Sequence, residues 1–185
     1  MNKIVCGVDE AGRGPLAGPV YAAAVVLPEG LVIEGLDDSK KLSEKKRNYL
    51  YDIICEKAVC YGISFSTVDE IEELNILQAT FLAMNRAIQL LNPSAQYALI
   101  DGNNNSGIAV PSEPIIHGDS LIASISAASV LAKVSRDRFM YDMAEKYPEY
   151  GFEKHKGYGT KDHYAAIRQY GITDIHRKSF LKNLH

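Results

Sequence analysis

The chain has 185 residues, of which 46% are hydrophobic and 23% charged, and its formal net charge is −3. This length and composition predict one domain with a sizeable core and argue against a disordered chain. No apolar run is long enough for a signal peptide or a membrane span, and three cysteines without a CxxC pair predict reduced thiols rather than a zinc site, so we expect a cytoplasmic protein.

Apolar runs and helical spacing predict the elements of the first half of the chain. Two strands are predicted over residues 4–9 and 18–28, then a helix over 44–58 and a strand over 61–68. Thr67 followed by Glu70 predicts a capping box that begins a helical region ending near Leu91. Asn92 and Pro93 then stop this region, because the residue before a proline disfavours helical backbone.

The second half begins with a short apolar strand over residues 97–101, which ends in an acid and is followed by Gly102 and three asparagines. A last strand is predicted over 113–117, then a long helix from Asp119 towards Tyr147 and a shorter one over 162–170. This order predicts an α/β fold with a mixed sheet flanked by helices. Strand order cannot be derived from periodicity.

Charge is distributed unevenly along the chain. Residues 39–47 hold five basic side chains against one acid, and residues 151–185 hold seven against three, so the remainder is acidic. Two basic segments and an acidic remainder offer places for phosphates and for metal ions. The same basic segments would also serve as ordinary solvated faces, and charge alone does not separate these interpretations.

Four acids are candidate metal ligands, namely Asp9, Glu10, Asp101 and Asp119. Asp9 and Asp101 end apolar strands, at the edge where open α/β sheets bind ligands. Carboxylates there are costly unless they are paired or bound to a metal, although Asp101 alone would suit a turn and Asp119 alone an N-cap. Oxygen donors without cysteine or a histidine pair indicate Mg²⁺ or Mn²⁺, ions that commonly act as a pair in phosphodiester cleavage.

Residues 12–17 also fit the glycine pattern of a dinucleotide-binding turn after a strand. We reject that interpretation, because Asp9 and Glu10 would repel the pyrophosphate and Pro15 lacks an amide donor.

Taken together, long blocks of the sequence resemble the type 2 ribonuclease H family. The blocks are GVDEAGRGPLAGPV at 7–20, DSKKL at 38–42, LNILQAT at 74–80, DGN at 101–103, GD at 118–119, AASVLAKV at 127–134, HKGYGT at 155–160 and IHRKSF at 175–180. The resemblance implies a ribonuclease H-like fold with a five-stranded mixed sheet flanked by helices. It also implies a single domain over 1–185 with a small C-terminal helical region at about 150–185.

The same resemblance implies an endoribonuclease that cuts on the 5′ side of ribonucleotides, in RNA–DNA hybrids and at single ribonucleotides in duplex DNA. The products would carry 3′-hydroxyl and 5′-phosphate ends, and two divalent metals, Mg²⁺ or Mn²⁺, would take part. We expect a monomer that serves in ribonucleotide removal and RNA primer processing and has no membrane partner.

The resemblance also assigns roles to residues of this chain. Asp9, Glu10, Asp101 and Asp119 match the catalytic, metal-binding carboxylates. Gly12, Arg13 and Gly14 match the turn that reads ribose 2′-hydroxyls, Tyr158 matches a tyrosine that packs on the deoxyribose after the junction, and Lys40 would hold a phosphate. Without the motif, Tyr158 would be an ordinary packing residue, Arg13 a structural one and Lys40 a solvated one.

Two positions depart from the family pattern, since His117 stands where lysine is frequent and Ser120 where a small apolar residue is frequent. We expect these differences to tune activity rather than remove it. The chain ends soon after Phe180, so we expect no longer C-terminal extension. The alternatives are another nuclease of the same fold, a catalytically silent hybrid-binding module and a small-molecule metal phosphatase. Metal-dependent nicking of a polymer would separate them.

Overall fold

A five-stranded mixed sheet organises the protein, whose computed structural model describes residues 3–181. The strands are β1 (Val5–Ala11), β2 (Val20–Val26), β3 (Cys60–Ser66), β4 (Tyr97–Asp101) and β5 (Ser112–Ile115). Their order is β3-β2-β1-β4-β5, with β1 antiparallel to β2 and parallel to β4. The predicted mixed sheet is confirmed, and its two central parallel strands end at the same edge.

Helices cover both faces of the sheet and extend beyond one end of it. They are α1 (Glu44–Lys57), α2 (Val68–Leu74), α3 (Ile76–Gln89), α4 (Gly118–Leu121), α5 (Ala123–Lys146), α6 (Phe152–His155) and α7 (Lys161–Tyr170), with 3-10 turns at Pro148–Tyr150 and Lys178–Phe180. None of the helices within residues 3–181 combines the length and hydrophobicity needed to cross a bilayer.

Two predicted helices are divided in the structure. The helical region after the Thr67 capping box, itself confirmed, breaks at Asn75, whose left-handed backbone (φ 72°) starts a new helix and whose side chain caps it. The long helix predicted from Asp119 begins instead at Ala123, because Ile122 is extended and α4 ends there. Both breaks are local backbone reversals that hydrophobic periodicity does not register.

Each face of the sheet has its own core. Alternate side chains of β1 and β2, among them Val8 and Ala22, pack with Phe81 and Met84 of α3. The opposite face packs against α1 and α5. Gly7 permits this, because a Cβ atom there would collide with the backbone of α5. Because of this close approach, α5 packs directly against β1, next to the position of Asp9 two residues further along the strand.

The C-terminal region after α5 packs on the end of that helix and on the loop between β1 and β2. Phe152 and Ile167 form an apolar cluster there with Leu16 and Met140. The backbone N–H of Leu16 donates to Gly157 O at 2.8 Å, and Ala17 forms an isolated bridge with His176. The predicted small C-terminal helical region is confirmed, and it holds the loop that follows β1.

Candidate active site

Three carboxylates meet at the edge of the sheet where β1 and β4 end. Asp9 comes from β1, Asp101 ends β4 and Asp119 lies in α4, and one oxygen of each lies within 4.8 Å of the others. The parallel pairing of β1 with β4 brings the first two together. The backbone N–H of Asp119 donates to Oδ1 of Asp101 at 3.0 Å, so the start of α4 carries the third carboxylate to the same place.

The electrostatics of this cluster suit a cation. Asp9 is buried, and its pKa is raised well above the ordinary value by desolvation, then by the charges of Glu10 and Asp101. Burial also raises the pKa of Asp119, again with the charge of Asp101. Like charges held together in a desolvated place are stabilised by a bound metal ion, and these are oxygen ligands of the type that hard divalent cations prefer.

Glu10 lies outside the group of three, because successive side chains of a strand point to opposite faces. It faces the α3 side of the sheet. There Glu10 and Asp101 line a cavity of about 260 Å³, and Arg13 and Phe81 form other parts of its wall. Its Oε1 lies 3.5 Å from Nη1 of Arg13. Burial raises the pKa of Glu10, although the charge of Arg13 acts against this. Glu10 therefore connects the acidic edge to the turn after β1.

Lys40 approaches the cluster from the loop before α1. Its Nζ lies 3.8 Å from Oδ2 of Asp119, while most of the side chain is exposed. The hydroxyls of Ser39 and Ser129 share a hydrogen bond of 2.7 Å, which holds this loop against α5. Arg47 of α1 donates to the carbonyl of Ser39 at 2.9 Å as well. Lys40 is thus an exposed cation on a fixed backbone at the rim of the acidic cluster.

The two positions that depart from the family pattern also lie at this rim. His117 has left-handed backbone (φ 57°) and directly precedes α4 as its N-cap. The Ser120 hydroxyl accepts a hydrogen bond of 3.1 Å from Nζ of Lys41. The serine therefore gives a second lysine of the same loop a partner beside the cluster.

Two buried arginines hold the Gly12-Arg13-Gly14 turn. Arg177 donates to the carbonyls of Gly12 at 2.6 Å and of Arg13 at 2.9 Å, and Arg136 packs beneath them. A Cβ atom on Gly12, whose φ is +97°, would collide with the Arg136 guanidinium. The turn is therefore built around glycine and directs the half-exposed Arg13 side chain outward.

Tyr158 reaches the same turn from the C-terminal region. The residue is 44% exposed, and a Cβ atom on Gly14 would lie 3.7 Å from ring atom Cε1. Arg136 donates to Lys156 O at 2.9 Å and to Ala17 O at 2.9 Å, which ties the two segments together. The structure thus places Tyr158 beside the glycine turn, and Glu10 joins that turn to the carboxylates.

Several residues that build this site were missed by sequence reasoning. Arg136 and Arg177 lie in buried positions yet carry full charges, and Asp137 is buried against Arg47 and Lys133. Charged residues on the buried face of a helix were the available signal for Arg136 and Asp137. For Arg177 the signal was its place in the block at 175–180, without any indication of its partner.

The fold and the acidic cluster together define a metal-dependent hydrolase of the ribonuclease H-like class. More narrowly, the chain belongs to the ribonuclease HII family, since the model of that family, described as Ribonuclease HII, matches residues 6–183. Ribonuclease HII of Clostridioides difficile (strain 630) is 57% identical over 96% of this chain and 70% of its own length. That of Burkholderia cenocepacia (strain HI2424) is 55% identical over 97% and 84%.

Solved structures agree with this assignment. The ribonuclease H2 of Pyrococcus horikoshii OT3 has a TM-score of 0.77 at 27% identity and covers 97% of this chain and 99% of its own. Bst-RNase HIII, solved in complex with Mn²⁺, has a TM-score of 0.71 at 16% identity over 96% and 64%, a likeness that concerns the fold alone. The expected family and enzyme class are confirmed. The protein is an endoribonuclease that hydrolyses phosphodiester bonds and has an acidic metal site.

Proposed function

We propose that this member of the ribonuclease HII family cuts on the 5′ side of a ribonucleotide, both in RNA–DNA hybrids and at a single ribonucleotide in duplex DNA, and leaves 3′-hydroxyl and 5′-phosphate ends. One observation carries the proposal: the glycine turn lies between the acidic cluster and Tyr158, with Glu10 and Arg13 3.5 Å apart linking turn and cluster. A substrate that contacts the acidic cluster, the glycine turn and Tyr158 together would have its sugars bound by the turn and by Tyr158, next to the phosphate that is cut at the cluster.

Asp9, Asp101 and Asp119 would hold one divalent ion, and Glu10 with Asp101 would reach a second one from the other side of the edge. All four donors are carboxylate oxygens, which supports Mg²⁺ or Mn²⁺. Such ions, when bound, supply an activated water and neutralise charge on the phosphate and on the leaving oxygen. Asp9 is buried, and one of its carboxylate oxygens lies within 4.8 Å of oxygens of Asp101 and Asp119.

The remaining residues would recognise the substrate. The backbone of Gly12, Arg13 and Gly14 can approach a sugar edge without obstruction by side chains, and the 2′-hydroxyl is the local mark that distinguishes RNA from DNA. Tyr158 would pack on the next sugar only where no 2′-hydroxyl intrudes, and Lys40 would contact a backbone phosphate. We further propose a cytoplasmic monomer over 1–185 acting in ribonucleotide removal and RNA primer processing.

The test is cleavage of duplex DNA containing one ribonucleotide, with Mg²⁺, with Mn²⁺ and with a chelator, beside a continuous RNA–DNA hybrid and an all-DNA duplex. We expect a metal-dependent nick directly 5′ of the ribonucleotide and no cut in the all-DNA duplex. Cleavage of the hybrid without a nick at the single ribonucleotide would remove the junction assignment and keep the nuclease.

A further inference from the structure

Three histidines of the C-terminal region lie directly behind Tyr158. His163 and His176 are fully buried, and their Nε2 atoms are 3.1 Å apart. The ring of His155 stacks on His163 with centroids 4.5 Å apart. None of the three lies in the acidic cluster, and the proposed chemistry leaves them without a role.

Hydrogen-bond partners fix where each proton of the buried pair resides. The backbone N–H of Thr173 donates to Nδ1 of His176 at 2.9 Å, so that nitrogen carries no proton and the proton of His176 is on Nε2. This Nε2–H group faces Nε2 of His163, which must accept. The proton of His163 is then on Nδ1, which donates to the carbonyl of Tyr158 at 2.9 Å.

A directed chain of neutral groups therefore runs from Thr173 through both histidines to the Tyr158 backbone. A second proton on His163 would put two N–H groups face to face across 3.1 Å, and a second proton on His176 would put an N–H group against the Thr173 N–H at 2.9 Å. Desolvation lowers the pKa of His163 and of His176 to about 4, so both rings are neutral at neutral pH. The chain is complete only in this neutral form.

The carbonyl of Tyr158 also accepts a hydrogen bond from the backbone N–H of Thr160 at 2.9 Å, and the side chain of His163 adds a second donor from within α7. Lys156 and Gly157 both have left-handed backbone, with φ values of 50° and 84°, which is a costly conformation for the lysine. A Cβ atom on Gly157 would lie 2.6 Å from Ala17 O, so this segment is pressed against the loop that follows the glycine turn. A small rotation of the Tyr158 peptide would carry the ring away from Gly14.

We propose that His163 and His176 are positioning residues for junction recognition, since their hydrogen-bonded chain fixes the Tyr158 backbone and so the ring beside the glycine turn. This inference rests on the proposed function, in which Tyr158 packs on the deoxyribose after the junction. It adds two buried residues, neither of which touches the substrate, to those that determine substrate selectivity.

Two substitutions of one residue separate positioning from packing. His163→Asn places an amide nitrogen near the site of Nδ1 and keeps a donor for Tyr158 O, but it loses His176. His163→Gln reaches the position of Nε2, keeps a partner for His176 and loses the donor to Tyr158 O. Each variant loses one buried hydrogen bond, so stability alone does not distinguish them.

The readout is kcat/KM on the single-ribonucleotide duplex divided by kcat/KM on the continuous hybrid. We expect this ratio to fall about 3- to 10-fold in His163→Gln, the effect of one hydrogen bond, and less than about 2-fold in His163→Asn. Equal ratios in the two variants would overturn the proposal, and so would an unchanged ratio in His163→Gln when Tyr158→Ala lowers it. A wild-type enzyme that leaves the single-ribonucleotide duplex uncut would refute the junction assignment of the proposed function, whereas a wild-type enzyme that nicks this duplex, with equal ratios in the two variants, would refute this inference alone.

A measurement on the unaltered enzyme covers the case in which both variants fail to fold. Nitrogen-15 spectra of the imidazoles should show His163 protonated at Nδ1 and His176 protonated at Nε2 at pH 7. A proton of His163 on Nε2 would overturn the proposal, because the ring would then give no donor to Tyr158 O. A proton of His176 on Nδ1 would also overturn it, because no N–H group would then lie between the two Nε2 atoms.

Discussion

At the scale of single residues, each of the three clustered carboxylates reaches its place from a different local structure. Asp9 is inside a strand, Asp101 is the last residue of one, and Asp119 lies in a four-residue helix. Their pooled charge opposes folding in the absence of a cation, since burial and like charge raise the pKa of Asp9 and Asp119. A substitution that keeps the shape of one carboxylate side chain but removes its charge therefore tests the metal site directly.

Asp9→Asn should reduce kcat at least about 1,000-fold, the loss of several kcal/mol of metal-assisted stabilisation, while the Kd for hybrid duplex changes little. The amide keeps the shape of the side chain but not its affinity for a divalent ion. Single-turnover cleavage and a binding titration in chelator measure the two quantities. Turnover equal to that of the unaltered enzyme would contradict the metal assignment.

Tyr158→Ala should lower cleavage of a single ribonucleotide more than cleavage of a continuous hybrid, by about 10-fold in the ratio of kcat/KM values, in the range of base or sugar stacking on an aromatic ring. Tyr158→Phe keeps the ring and serves as the matched control. An equal fall on both substrates in the alanine variant would show that Tyr158 makes no junction-specific contact.

Gly12→Ala should lower the free energy of unfolding by about 3 kcal/mol, because a left-handed backbone and a collision with Arg136 act together. Gly30→Ala is the control: its φ is +73°, yet nothing lies within 4 Å of the added Cβ, so it should cost about 1 kcal/mol. Chemical denaturation measures both. Similar losses would mean that Arg136 moves aside and that the turn is held less tightly than its hydrogen bonds indicate.

At the scale of elements, α5 organises the site from behind. Gly7 lets it lie close to β1, Ser129 reaches the loop that carries Lys40, and Asp137 is buried near Arg47 of α1. Arg47 in turn donates to the carbonyls of Ser39 and Leu42, at 2.9 and 2.6 Å. One helix thus sets both the acidic edge and the lysine loop beside it.

Arg47→Met should lower the free energy of unfolding by about 3 kcal/mol, since it leaves two carbonyls without their donor and removes one cationic partner of the buried Asp137. It should also raise the KM of cleavage, because the backbone of Lys40 loses its anchor. Lys45→Met removes the same charge from an exposed position of α1 and is the control. A KM that changes equally in both variants would attribute the effect to net charge.

At the scale of the whole molecule, the C-terminal region is held to the start of the chain by buried polar groups as well as by apolar packing. Arg177 donates to Gly12 O across 165 positions of sequence, and Arg136 donates to Ala17 O across 119. Under the proposed function, substrate recognition depends on the docking of this region, because the glycine turn and Tyr158 come from opposite ends of the chain.

The buried histidines predict how stability depends on pH. The pKa of His163 and of His176 is lowered to about 4 in the folded protein, first by burial, against a reference value of 6.5. The unfolded chain therefore binds protons that the folded one does not as the pH falls below about 6.5, and stability is lost down to about pH 4. The neighbouring His155 lowers both pKa values further, whereas Asp174 acts in the opposite direction on His176.

We expect these two histidines to contribute a loss of at least about 2 kcal/mol between pH 7 and pH 4.5. Protonation of Asp9 and Asp119 opposes this loss, because their pKa values are raised. An NMR titration of the individual imidazoles therefore gives the cleanest measurement. Ordinary titration of His163 and His176 near pH 6.5 would contradict the prediction.

Most of the chemistry of this protein was evident from the sequence. Asp9 and Asp101 ended predicted strands, the blocks around them matched one family over nearly the whole chain, and the mixed sheet followed from the order of elements. These inferences succeed because strand periodicity, turn chemistry and contiguous motifs are local properties of the chain.

Only the tertiary structure decided which residues meet. The strand order places β4 next to β1. Because successive side chains of β1 point to opposite faces of the sheet, Glu10 lies on the face opposite Asp9. The partners of Arg177 and the proton chain through His163 depend on contacts between segments far apart in sequence. The sequence by itself determined the family, most of the elements and the acidic residues. Burial and the pairing of distant polar groups emerge only when the chain is packed, since a buried charge is stable only where a partner meets it.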